Sequence, residues 1–131
     1  MTKDIPSLVE TFIKAGFPSP ADDVVETPLN LHDLMVKKPA ATFFIRVAGD
    51  SMKDAGIMDQ DLLVVDRSIQ NAENKIIVAR VNDEFTVKRL IKIDGHYILC
   101  PENQSYTPLV IKEGMDFEIW GVVTYAIHPL L

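Results

Sequence analysis

The chain has 131 residues, enough for one domain with a core of its own, and 47% of them are hydrophobic, which excludes disorder throughout. Its net charge of −6 argues against a direct grip on a nucleic-acid backbone, which calls for a basic stripe, but leaves open binding to a protein that itself holds DNA. The lone cysteine, Cys100, excludes an internal disulfide, and no apolar run reaches membrane-spanning length, so a reducing cytoplasm is the expected location.

The first residues, "MTKDIPSLVETFIKAG", are interrupted by Asp4, Pro6 and Glu10 and do not read as a secretory signal. Ser7 to Lys14 reads as a short helix at most. Gly16 to Glu26 reads as an extended arm, because Pro18 and Pro20 push Phe17 and Ser19 toward extended backbone. "NLHDLMVKKP" predicts one or two helical turns, ended by Pro39. From Thr42 onward the pattern is β. "TFFIRV", "DLLVVD", "KIIVARV", "EFTVKRLI", "HYILC", "PLVI" and "DFEIWGVVTYAI" are short, rich in Val, Ile and Phe, and separated by turn residues. The expected fold is a compact, mostly β domain over residues 42–131, preceded by an N-terminal arm over residues 1–41.

One pair of strands has a readable register. Only Asn82 and Asp83 separate "KIIVARV" from "EFTVKRLI", which suggests a two-residue hairpin. Val81 then faces Glu84, Ala79 faces Thr86, and Ile77 faces Lys88. Side chains alternate along a strand, so Lys88 shares a face with Thr86 and Leu90. Such an apolar setting disfavours the charged ammonium and lowers a lysine's pKa. A neutral lysine can take a proton from a hydroxyl, and Ser-Lys pairs are a known variant of nucleophile activation. The candidate hydroxyl is Ser51 in "FFIRVAGDSMKDAGI", where a strand-like run stops at Gly49-Asp50.

"GDSM" at Gly49–Met52, followed by "DAGIMDQDLLVVD" and "NDEFTVKRL", closely resembles the LexA/UmuD family of self-cleaving serine peptidases. The likeness runs from "AGFPSPADD" through "PENQSYTPLVI" to "IWGVVTYAI", several blocks in the right order. It implies the LexA/UmuD-like peptidase β-fold, with Ser51 as nucleophile and Lys88 as general base. It also implies an autocleavage site at Ala15–Gly16, in the arm just before "FPSP". Small side chains at Ala15 and Gly16 let a serine approach the carbonyl closely, and the extended segment after them suits pairing along a strand edge. The expected oxyanion donors are the backbone N–H groups of Asp50 and Ser51. The implied partners are a second copy of the chain, the RecA–single-stranded DNA filament as trigger, and the UmuC-like catalytic subunit of an error-prone translesion DNA polymerase in the SOS response to DNA damage. No cofactor and no sequence-specific DNA contact is implied, since the proline-broken arm leaves no room for a helix-turn-helix domain.

Other residues read more plainly. His32, His96 and His128 follow no ligand spacing, so no metal site is expected. Asp59, Asp61 and Asp66 read as surface carboxylates. Cys100 reads as a small buried hydrophobe, and Trp120 as core or interface. An alternative to the self-cleaving enzyme is a non-catalytic dimeric interaction module that binds a polymerase. A signal-peptidase-like enzyme acting on other proteins shares the Ser-Lys chemistry but would want a membrane anchor.

Overall fold

The structure is a computed structural model that describes residues 5–10, 15–16 and 25–131, apart from the side chains of Glu10 and Val25. It divides into two compact units, residues 1–35 and 36–131. In the first, β1 (Ser7–Glu10) pairs antiparallel with β2 (Val25–Pro28), with Ser7 opposite Pro28 and Glu10 opposite Val25. The ribbon is closed by the Leu29 N–H, which donates to the Pro6 carbonyl at 2.8 Å. A short helix, α1 (Leu31–Met35), follows. The helix expected over Ser7–Lys14 is therefore corrected to a strand over Ser7–Glu10, because pairing with a distant segment overrides a weak local preference. Thr11–Lys14 and the "FPSPADD" stretch lie outside the described residues. Ala15 and Gly16 form an exposed bend.

The second unit is a seven-stranded antiparallel sheet made of β3 (Thr42–Arg46), β4 (Leu62–Asp66), β5 (Ile76–Val81), β6 (Glu84–Ile93), β7 (His96–Cys100), β8 (Leu109–Val110) and β9 (Phe117–Ile127). The spatial order is β3-β4-β9-β5-β6-β7-β8. All seven expected strands are present, and the unit is mostly β as expected. The long β9 sits centrally, pairing β5 along its first half and β4 along its second. Its pairing shifts register against β5 at Trp120 and against β4 at Thr124, and between them stands Gly121, where an added Cβ would lie 2.6 Å from Val65 Cγ1. That crowding requires glycine where β9 passes from one partner strand to the other.

β5 is apolar on both faces and feeds two cores. Ile77 and Ala79 pack with Leu90, Leu99 and Val122, whereas Val78 packs with Met52, Ile57, Leu63 and Val65. Such a run of apolar residues is the mark of a strand buried on both sides. The β5–β6 hairpin has the register read from the sequence, with Val81 opposite Glu84, Ala79 opposite Thr86 and Ile77 opposite Lys88. Asn82 and Asp83 both take positive φ, 49° and 67°, as the twist-matched two-residue hairpin turn requires.

Two of the three plain carboxylates are not at the surface. Asp61 is fully buried; one oxygen accepts the Met58 N–H at 2.8 Å and lies 3.3 Å from His128 Nδ1. Asp66 is also buried and accepts both the N–H and the hydroxyl of Ser68. Each carboxylate closes a turn at one end of β4 with one oxygen, whereas Asp61 Oδ1 is buried with no hydrogen-bond partner among the described residues. Cys100 is half-buried rather than fully enclosed, and burial together with Glu102 pushes its thiol above the usual range.

Candidate active site

Ser51 lies in the turn between β3 and the 3₁₀ helix Lys53–Ala55. Gly49 opens that turn with a φ of +92°, a region that penalises any residue with a Cβ. Its N–H donates to Asp59 Oδ1 at 2.7 Å. On the other side, Met52 buries its side chain in the second core, leaving 2% exposed. The methionine that follows the serine is thus an anchor. With the chain pinned before and after it, Ser51 can point its hydroxyl outward without drifting.

Lys88 projects from β6 toward that hydroxyl. Its Nζ is 3.1 Å from Ser51 Oγ, 2.7 Å from Thr86 Oγ1 and 3.1 Å from the Val87 carbonyl oxygen. Among the described residues no carboxylate pairs with it. Burial alone shifts the amine, lowering its pKa below the ordinary lysine value. Thr86 was legible as a neighbouring hydroxyl in the hairpin register. Its role as a hydrogen-bond partner of the amine is added by the structure.

Ser51 and Lys88 border a groove of about 490 Å³ lined by Ile45, Val47, Val78, Val87 and Trp120, among others. The lining is mainly apolar. Trp120 stacks at a tilt on Phe43 at 5.3 Å and edge-on to Phe85 at 6.1 Å, and the Arg67 guanidinium sits 4.4 Å from its ring centre. Trp120 is half-buried, packed against the second core on one side and forming a wall of the groove on the other. The groove runs beside β3, which is an edge strand.

The N–H groups of Asp50 and Ser51 donate to no acceptor among the described residues. The carbonyls around them are, by contrast, tied to the loop after β7. The Glu102 N–H donates to the Ser51 carbonyl at 2.9 Å, and the Asn103 Nδ2 donates to the Asp50 carbonyl at 2.9 Å. The Asp54 N–H returns to the Glu102 carbonyl, and the Tyr106 hydroxyl donates to Asp50 Oδ1 at 2.7 Å. Arg89 Nε holds the Glu102 carboxylate at 2.6 Å, which links the same loop back to β6. None of Arg89, Glu102, Asn103 or Tyr106 stood out in the sequence as site residues. The "PENQSY" stretch has turn composition, and nothing local in it signals where its donors go.

The β-sheet domain thus presents a serine hydroxyl to a partly desolvated amine beside an apolar groove. The sequence profile of the peptidase S24-like family matches residues 7–124. Protein MucA of Salmonella typhimurium is 46% identical over 121 residues, covering 90% of this chain and 82% of that protein. Protein SamA of Salmonella typhimurium strain LT2 is 45% identical over 114 residues, covering 87% and 79%. The LexA repressor of Cupriavidus taiwanensis is 38% identical over 110 residues, 84% of this chain but only 50% of the repressor. The chain belongs to the peptidase S24-like family.

Proposed function

We propose that the protein is a self-cleaving serine peptidase of the UmuD type. Ser51 is the nucleophile, Lys88 is its general base, and the bond cut is its own Ala15–Gly16. The single observation that carries this reading is the 3.1 Å contact between Lys88 Nζ and Ser51 Oγ, with the amine's charged form disfavoured by burial. A neutral amine has two N–H groups and one lone pair. If Thr86 Oγ1 and the Val87 carbonyl accept the two N–H groups, the lone pair is left for the Ser51 hydroxyl.

The reaction follows from that arrangement. Lys88 takes the proton as Ser51 Oγ bonds to the Ala15 carbonyl carbon. The carbonyl oxygen becomes an oxyanion, received by the free N–H groups of Asp50 and Ser51. Collapse breaks the Ala15–Gly16 bond, and the ammonium of Lys88 returns its proton to the departing Gly16 amine. A water, deprotonated by the same lysine, then releases Ala15 from Ser51. The apolar groove suits a small residue such as Ala15 at the cut, and an edge strand beside it suits an extended segment.

The product that begins at Gly16 acts as a homodimeric accessory subunit of an error-prone translesion polymerase with a UmuC-like catalytic subunit. A RecA–single-stranded DNA filament triggers the cut in the SOS response. Exposed Tyr125, Ile127, Leu130 and Leu131 at the end of β9 and beyond supply an apolar surface for a second copy. Among the described residues no helix is long and apolar enough to cross a membrane. Intact-mass measurement after incubation with the filament tests the function. The expected result is loss of residues 1–15 from the parent chain and an intact Ser51→Ala variant. Cutting that survives Ser51→Ala sinks the mechanism. A parent chain that never shortens favours a non-catalytic interaction module.

A further inference from the structure

Asn103 is 7% exposed, and both ends of its side-chain amide are used. Oδ1 accepts the Ser105 N–H at 3.0 Å, and Nδ2 donates to the Asp50 carbonyl at 2.9 Å. Those two partners fix which end of the amide is nitrogen, because a carbonyl needs a donor and an N–H needs an acceptor. A buried amide costs free energy unless fully bonded, so its presence beneath the nucleophile turn asks for a reason.

The reason lies in the peptide unit it holds. In a trans peptide the C=O and N–H point to opposite sides, and the described chain contains no cis bond. The Asp50 carbonyl accepts the Lys53 N–H within its own turn at 3.2 Å and the shorter bond from Asn103 Nδ2 at 2.9 Å, which directs it to the loop after β7 and turns the Ser51 N–H away from that loop. That loop is outside the groove, whose lining includes Ser51 but neither Glu102 nor Asn103. The Glu102 N–H holds the Ser51 carbonyl toward the same loop, so the next peptide unit is oriented the same way. We propose that Asn103 is a positioning residue for the oxyanion hole: its amide holds the Asp50–Ser51 peptide so that the Ser51 N–H faces the groove. This rests on the reading of Ser51 as nucleophile and extends it to a residue that never touches substrate.

The test compares Asn103→Asp, Asn103→Ala and Glu113→Gln with the parent. Asn103→Asp has the same shape and still accepts the Ser105 N–H, but it presents a carboxylate where the Asp50 carbonyl needs a donor. Self-cleavage rates are measured across pH, together with labelling of Ser51 by diisopropyl fluorophosphate, which needs the oxyanion hole but not the arm. The expected result is a plateau rate about a hundredfold lower in both Asn103 variants, a parallel loss of labelling, and an unmoved pH midpoint. Glu113→Gln changes an exposed side chain in the turn before β9, outside the groove lining, and stays within about twofold of the parent in rate. The inference is overturned if a folded Asn103→Asp or Asn103→Ala variant cuts within about threefold of the parent. It is overturned equally if the midpoint moves with the rate, since that reports general collapse around Lys88. A parent that does not cut at all overturns the functional reading instead, so the two failures are distinguishable.

Discussion

Lys88→Met is expected to abolish self-cleavage and to raise the melting temperature at neutral pH. The first effect is loss of the base, and a drop of about 10⁴-fold is expected at the upper end of general-base contributions. The second follows from the sign of the pKa shift. Burial holds the folded-state pKa of Lys88 below the ordinary value of 10.5 that it regains on unfolding. Below the folded-state value, both states carry the proton and the fold bears the full cost of a desolvated ammonium. Between the two values the unfolded state binds more protons, so stability rises with pH. Above the unfolded value the cost is gone. Methionine has similar length and no charge, so its advantage is largest at neutral pH and shrinks as pH climbs toward 10.5. Melting curves of both proteins across pH check this. A variant that melts lower than the parent at neutral pH shows instead that the amine's hydrogen bonds to Thr86, Val87 and Ser51 outweigh the cost of burying its charge.

Ile77→Ala is expected to be the most damaging core substitution near the site, costing about 2–5 kcal/mol. Ile77 is fully buried, packs with Leu90 and Leu99, and stands directly opposite Lys88 in the hairpin. Truncating it leaves a void between two strands that are each held on both sides by neighbours, so the site cannot close by local relaxation. Urea unfolding should show a lower midpoint with an unchanged slope. A loss under about 1 kcal/mol implies that the two strands collapse into the void, and with it that the frame holding Lys88 is softer than its packing implies.

What could be read from the sequence divides by distance along the chain. The β5–β6 hairpin was legible because its information is local: two turn residues, Asn82 and Asp83, set the register and therefore the face on which Lys88 projects. Ser51 was legible because Gly49 and Met52 bracket it within a few residues. The strand at Ser7–Glu10 was not legible. Four residues give no usable period, and its partner, Val25–Pro28, comes from across the arm. Nor was the contact of buried Asp61 with His128, 67 residues away, legible. Asn103 reaches Asp50 over a separation of 53 residues, from a stretch whose composition signals only a turn. Groups that support a site by long-range hydrogen bonds leave no spacing for a sequence reading to catch.

The central claim is that a lysine amine, uncharged when it reacts, takes the proton from Ser51. The first-order rate of self-cleavage, followed by intact mass from neutral to alkaline pH without the filament, tests it most directly. The account predicts a rate that rises tenfold per pH unit and levels off at a midpoint below 10.5. A rate independent of pH over that span contradicts it.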